Sequence, residues 1–449
     1  MNACPAAGLC LLAVTSAACA DRFVWTNSPS PGAGHTTWDT AAHEIQTAVD
    51  AATAGEIVRV TNGTYALSGE IIIAKNIRLQ SVNGAAATRI DGADAVRCMH
   101  FVSGSESAVV EGFTITHGRS RGTSPADRGG GVYMDASGNS AVRNCVITRN
   151  HAAVGGGIFF AECNGRAESC VIVSNTVSDR GGGAYCHYGG SFEDCTIRGN
   201  SAAGNGGGVI AGAHNLGDVW LSNCVISDNE AGDQGGGVFC DRGVLTRCVV
   251  SGNTARGAAT HGGGGVFVGL SGRIRNCLII GNAASGGGSS RGGGVYLNGG
   301  GDGLQNCTIV RNTAGVGGGV CFTGNAARNC IIYYNQVPNP VYGHNYYFHF
   351  GGQCLYTCTT PKPAGDGNVD GDPQFEQAGS GYGPSFTAGD YNLLPLSPCV
   401  DSGVLQAWMA AGIDIEGKPR IHGEAVDMGA YEHNPEWDPP LLGGVLFVL

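Results

Sequence analysis

Cys170-Val171-Ile172-Val173-Ser174-Asn175, answered six residues on by Gly181-Gly182-Gly183-Ala184-Tyr185, holds both halves of a repeat that runs through the middle of this chain. The first half, a cysteine with an asparagine five positions later, occurs eight times: Cys145/Asn150, Cys170/Asn175, Cys195/Asn200, Cys224/Asn229, Cys248/Asn253, Cys277/Asn282, Cys307/Asn312 and Cys330/Asn335. Cys-to-Cys steps are 25, 25, 29, 24, 29, 30 and 23 residues, yet the gap inside each pair never changes. Fixed rungs with length variation confined to the links mark a solenoid, whose coils stack while loops absorb insertions.

Each cysteine is followed by β-branched or aliphatic residues. Alternate side chains of an extended strand share a face, so Cys170 and Ile172 point inward together. The asparagine falls in the next turn, where its amide can donate and accept between neighbouring coils. The second half, three glycines, then a small or aliphatic residue and an aromatic one, runs from Gly129 to Tyr133, Gly155 to Phe159, Gly181 to Tyr185, Gly235 to Phe239 and Gly292 to Tyr296. Triple glycine suits a tight corner with positive φ, and the residues after it favour strands. Each coil therefore holds at least two short parallel strands. In Phe113-Thr114-Ile115 the pattern is already present, with Phe113 in the cysteine position and Gly118 in the asparagine position.

Helical solenoids are incompatible with 78 glycines set in runs, and collagen with 16 prolines and no three-residue period. The reading is an all-β, right-handed parallel β-helix. A net charge of -11, with only 25 Lys plus Arg and no basic cluster, argues against nucleic acid or an anionic membrane as partner. Within residues 1–20 the run from Ala6 to Ala18 is almost without polar side chains and the segment ends Ala18-Cys19-Ala20, a signal-peptide pattern, though without a Lys or Arg before it, that predicts export. Residues 21–55 form an N-terminal cap, with a helix over 41–53 burying Ile45, Ala48, Val49 and Ala52, N-capped by Asp39 or Thr40 and ending before Gly55. The β-helix proper spans 56–360, followed by an irregular C-terminal cap over 361–435 and a tail over 436–449 whose apolar end, Leu441 to Leu449, is too short to span a membrane. Tyr342, Tyr346, Tyr347, Phe348 and Phe350 are expected to plug the last coil, with a sugar-stacking platform as the alternative.

Nineteen cysteines in an exported chain would ordinarily announce disulfides. Stacked coils, however, hold equivalent residues about 4.8 Å apart with parallel Cβ vectors, whereas a disulfide needs converging ones. The eight ladder cysteines are read as buried small hydrophobes, and a metal site fails because a linear file does not converge on one point. Cys358 and Cys399, near the C-terminal end, are the best disulfide candidates.

The Gly-Gly-Gly-Val and Ile-x-x-Asn elements resemble the repeats of polymorphic outer membrane proteins, which are surface adhesins. From Cys358-Thr359-Thr360-Pro361 onward, the motifs Asp372-Pro373-Gln374-Phe375, Gly389-Asp390-Tyr391, Ser397-Pro398-Cys399, Asp414-Ile415-Glu416-Gly417 with Arg420, and Asp427-Met428-Gly429-Ala430-Tyr431-Glu432 resemble the choice-of-anchor Q domain of bacterial secreted β-helix proteins. These resemblances imply a pectin-lyase-like fold in a secreted or cell-surface, outer-membrane-associated protein. No chemistry is assigned to that domain.

A pectin-lyase-like scaffold invites a search for catalysis. Asp127-Arg128 and Asp179-Arg180 precede glycine corners two rungs apart, about 9.6 Å, near the upper limit for an inverting carboxylate pair. Solvated turns are the simpler reading. Asp366, Asn368, Asp370 and Asp372 sit where a calcium loop carries its first ligands, but Gln377 replaces the closing glutamate and Pro373 interrupts, so an Asp/Gly turn without cofactor is preferred over calcium. His117, His151, His187 and His261 read as surface or turn residues. The expected function is presentation of extended faces to a polysaccharide or cell-surface glycan by a monomer, with a polysaccharide lyase or glycoside hydrolase as the alternative.

Overall fold

The computed structural model describes residues 21–135, 138–162, 164–212, 218–257, 262–299 and 301–434. The expected leader (1–20), His261 and the tail (436–449) lie outside them. Strands of two to five residues stack into three long parallel sheets of 13, 11 and 12 strands, with a six-stranded fourth sheet along part of one corner. Successive coils pair in register: Val146, Ile147 and Thr148 align with Val171, Ile172 and Val173, and these with Thr196, Ile197 and Arg198. The coils form a parallel β-helix with very little α-helix, as the repeat predicts, and an antiparallel pair, Phe375–Gln377 with Asp390–Leu393, lies in the segment after them.

The eight cysteines form a continuous inward file on the corner leading into the 12-stranded sheet, each at most 1 % exposed, with Ile147, Ile172, Ile197 and Ile226 beside them. Phe113 opens that file, fully buried. The asparagines form a second file. Asn175 Nδ2 donates to Asn200 Oδ1 (3.0 Å) and to the carbonyl of Ile147 (2.9 Å), and Asn175 N donates to the same Asn200 oxygen (3.0 Å). The same bonds recur up to Asn335, where Asn345, which has no cysteine before it, supplies the final amide. At the other end Gly118 N donates to Asn150 Oδ1 (2.8 Å), and the thiol of Cys98 occupies the space an asparagine would need there, 2.8 Å from where a Gly118 Cβ would stand.

The corners are built twice over. The first glycine of each triplet is left-handed, as at Gly129 (φ 59°), Gly155 (64°) and Gly181 (69°). The residues directly before each ladder cysteine are left-handed too, from Asn144 (φ 51°) to Asn329 (φ 52°), a feature the glycine pattern did not disclose. Asparagine and aspartate tolerate that region best among residues with a Cβ.

The amphipathic helix is Ile45–Ala51, shorter than predicted. Its N-cap is Glu44, without a side-chain bond, because Thr40 is committed to a turn with Thr37. Ile45, Ala48 and Val49 cover the first coil as expected, and Gln46 Oε1 accepts from Ile72 N (2.7 Å), occupying part of a strand edge that would otherwise template pairing. At the far end Tyr346 and Phe348 turn inward against the core, whereas Phe350 is 77 % exposed, so the aromatic cluster is divided between plug and surface.

Residues 361–434 begin by closing the last coil and then fold back along the outside of the 12-stranded sheet. Outward-facing Val249, Leu278, Ile280, Val310 and Ile331 are buried there under Phe375, Tyr391, Leu393, Ile415 and Met428. The left-handed asparagines of the last three ladder rungs hold this flap: Asn276 Nδ2 donates to Ile413 O (2.8 Å), Asn306 Nδ2 to Asp427 O (3.2 Å) and Asn329 Nδ2 to Val404 O (2.8 Å).

Candidate functional site

The outward middle position of the 11-stranded sheet carries a second file, in register through Ile72, His100, Tyr133, Phe159, Tyr185, Ile210, Phe239, Phe267, Tyr296, Cys321 and Tyr347. Phe159 and Tyr185 stack with centroids 5.0 Å apart, and Phe239 and Phe267 at 4.6 Å. The spacing of glycines and aromatics follows from this geometry. A Cβ on Gly129 or Gly155 would sit 2.9 or 3.0 Å from the Cβ of Tyr133 or Phe159, so the left-handed corner folds closely over the ring four residues on.

At the N-terminal end of the file, charged groups converge on the rings. The Arg97 guanidinium lies 4.8 Å from the Tyr133 centroid and Arg128 lies 5.0 Å from that of Phe159. Arg97 Nη1 donates to Glu70 Oε2 (2.7 Å), and His100 Nδ1 is 3.5 Å from Glu70 Oε1. The hydrogen bond with His100, then the charge of Arg97, hold the Glu70 carboxyl below its usual range against the opposing effect of burial. The rings of His100 and Tyr133 are 4.7 Å apart, and His100 Nε2 is a buried nitrogen without a hydrogen-bond partner. Burial, together with Asp135, pushes the Tyr133 hydroxyl up, so it stays protonated and can donate a proton or a hydrogen bond. A strip of guanidinium, imidazole, carboxylate and phenol therefore runs along one side of the sheet.

Of the residues singled out from the sequence, Arg128 belongs to this strip. Arg128, Val154 and Arg180 occupy successive positions at one corner, placing the two Asp-Arg pairs two rungs apart as the spacing requires. Asp127 is half-buried and its Oδ1 has no partner. Asp179 forms an exposed ion pair with Arg180 (3.2 Å), and its Oδ1 leans toward the following coil, 3.4 Å from where a Gly204 Cβ would stand. Glu70, Arg97 and His100 precede the repeat and were not singled out from the sequence; of the three only His100 stands in the register file.

The four calcium candidates separate. Asn368 is buried as a structural amide of the last turn, accepting from Thr357 N (3.0 Å) and donating to Cys354 O (2.7 Å). Asp372 bonds the Tyr334 hydroxyl and Gln374 N, while Asp366 and Asp370 are exposed. Among the described residues no group of three His, Cys, Asp or Glu is arranged to hold a metal.

The anchor-like motif residues form a buried polar network inside the flap. Arg420, Asp414 and Glu432 are fully buried and Asp427 is 1 % exposed; Arg420 Nη2 lies 3.5 Å from Glu432 Oε2 and donates to Asp427 O (3.0 Å). Beside it opens a shallow cleft of about 420 Å³ lined by Glu376, Asp390, Asn392, Lys418 and His433. Among the described residues no helix is long and apolar enough to cross a membrane.

Comparison with known proteins places this geometry in a family. A sequence model of the right-handed β-helix region matches residues 63–216 and 130–352, more than half of the chain. No curated protein matches. Among solved structures the chain is similar to a pectate lyase (14 % identity, covering 92 % of this chain and 97 % of that one, TM-score 0.46). It is also similar to the pectin methylesterase of Aspergillus niger (15 %, 79 % and 87 %, 0.25) and to a PL6 family alginate lyase (12 %, 78 % and 56 %, 0.32). With its in-register parallel coils and this match, the chain belongs to the right-handed β-helix family.

Proposed function

We propose that the protein is an exported, cell-surface β-helix that binds a glycan along the arginine-edged aromatic strip. The observation that carries this reading is the set of half-buried Glu70, His100 and Arg128 on one outer face, open in part to hydroxyl or carboxylate groups of a chain-like ligand, while Arg97 is spent on Glu70 and on the carbonyls of Arg128 and Gly129 and, with Tyr133 and Phe159, forms the buried floor. An extended ligand suits a site that repeats rung by rung. Export is supported by the Ala18-Cys19-Ala20 pattern and by the anchor-like motifs of the flap. Affinity electrophoresis in gels cast with different polysaccharides tests it: at least one should retard the protein, Arg128→Ala should weaken retardation several-fold, and Arg78→Ala, on another sheet, should not. Equal behaviour of the two variants would refute the assignment to this face.

A lyase is the second reading, favoured by one feature. His100 has an unpartnered ring nitrogen and its ring lies 4.7 Å from that of Tyr133, a base and an acid of the types a β-elimination requires, although that nitrogen and the Tyr133 side chain are covered here and would have to be uncovered to meet a substrate. Release of unsaturated ends by wild type, lost in Tyr133→Phe, would establish it.

A further inference from the structure

Eight cysteines of this chain stand in one parallel file; Cys358 and Cys399 stand outside it and meet each other. The inward position of the last 12-stranded rung, aligned with Cys330, belongs to Thr357; Cys358 is one residue out of phase and faces outward, as its register partner Ile331 does. A one-residue step transfers a side chain to the opposite face of a sheet. Cys358 therefore points away from the thiol ladder and into the flap.

Cys399 arrives from the flap at the same place. Both residues are free thiols, fully buried in one cluster with Ile331, Met428 and Phe375. The backbone holds both partners there. Cys358 N donates to Cys330 O (2.8 Å), Met428 N to Cys399 O (3.0 Å) and the adjoining Gly429 N to Asn329 O (2.8 Å). The Cys358 thiol donates to Gly371 O (3.3 Å), and a Cβ on Gly371 would lie 3.2 Å from Pro398, the residue before Cys399. Because the two cysteines come from segments that are not stacked in register, the parallel Cβ vectors that bar disulfides within the ladder do not apply.

We propose that Cys358 and Cys399 are a disulfide site that staples the C-terminal flap to the last coil, while the ladder cysteines remain thiols. Formation breaks two S–H bonds and makes one S–S bond; the two electrons and two protons pass to an external disulfide such as oxidised glutathione, which leaves as two thiols. The bond closes a loop of 41 residues (399 − 358), long enough for the constraint on the open flap to be substantial. In the closed flap the Cys358 thiol is held protonated, by its contact with Cys399 first and by burial second, so oxidation proceeds while the flap is open and reduction is slow once it has closed.

The test uses the full chain refolded with and without oxidised glutathione, alkylated in denaturant and mapped by mass spectrometry without reduction. A Cys358–Cys399 cross-linked peptide is expected, with Cys145, Cys170, Cys195, Cys224, Cys248, Cys277, Cys307 and Cys330 recovered alkylated. Oxidation should slow protease cleavage within residues 361–434 at least ten-fold, an effect reversed by reductant and absent in Cys358→Ala/Cys399→Ala. The comparison of wild type with and without reductant stands even where the double variant folds poorly. Recovery of Cys358 and Cys399 as separate alkylated peptides after oxidation, or as links to other cysteines, overturns the proposal, as does flap cleavage that is indifferent to reductant in wild type.

Discussion

Replacing Asn229 with alanine probes the amide file at its centre. Asn229 is 1 % exposed; its Oδ1 accepts from Asn200 N (3.0 Å) and Asn200 Nδ2 (2.9 Å), and its Nδ2 donates to Ile197 O and Asn253 Oδ1 (2.9 Å each). Asn229→Ala leaves the Asn200 N–H without its acceptor and the Ile197 carbonyl without this donor, both away from water. Asn253 Oδ1 keeps its bond from Asn229 N, and Asn200 Nδ2 keeps the Ile172 carbonyl, so those losses are partial. At about 1–2 kcal/mol for each group that loses its bond, the substitution should cost about 2–4 kcal/mol. Asn27, in an exposed turn outside the coils, is the control, and its alanine variant should stay within about 0.5 kcal/mol. Guanidinium denaturation gives the totals, and hydrogen exchange locates the damage, which should appear around residues 224–237 before the ends because coils interact chiefly with their neighbours. Equal and small effects at Asn229 and Asn27 would refute the load assigned to the amide file.

Further outcomes follow from the same geometry. Cys224 and Cys248, both 0 % exposed, should resist alkylation in the native protein and react fully in denaturant; native labelling of either contradicts the sealed file. The Glu432 carboxyl, pushed up to about 8 by burial, keeps its proton in the folded flap well above the ordinary value near 4.5 of the unfolded chain. The folded state then binds more protons between those values, so flap stability should fall by about a few kcal/mol as pH rises through that window, measured by exchange of residues 414–432, and Glu432→Gln should flatten the slope. Stability that rises over that range would contradict the assignment. Gly281 is left-handed (φ 62°), and a Cβ there would meet the Phe386 ring at 2.0 Å, so Gly281→Ala should loosen the flap at a cost of about 1–3 kcal/mol, seen as faster proteolysis within 361–434 while the coils stay folded.

The repeat was legible because its period is local: the invariant Cys-to-Asn offset fixes which residues turn inward, and Phe113 and Gly118 could be placed in the same frame before the motif was complete. The fold-back of residues 361–434 was not legible. Its signal lies in outward positions such as Leu278, Ile280, Val310 and Ile331, which are apolar beside inward neighbours that are apolar as well, and a strand buried on both faces loses the alternation that tells one face from the other. The helix start was misplaced because Thr40, a good cap by type, is engaged with Thr37. At the candidate site Arg128 was found from its place before a glycine corner, whereas His100 and Arg97 were invisible to a search keyed on the repeat. Asn368, read as part of an Asp/Gly turn with calcium as the alternative, is a buried structural amide, a role that a run of Asp, Asn and Gly does not tell apart from a cation ligand.

The central claim, that the arginine-edged strip holds a glycan, is tested most directly by a glycan array probed with wild type and Arg128→Ala, with mass spectrometry of the ligand recovered from every positive spot. The account predicts retention of at least one polysaccharide class by wild type, several-fold loss in Arg128→Ala, and ligand recovered at its original length without new reducing or unsaturated ends. A wild type that retains no glycan, or binding that Arg128→Ala leaves unchanged, would contradict it.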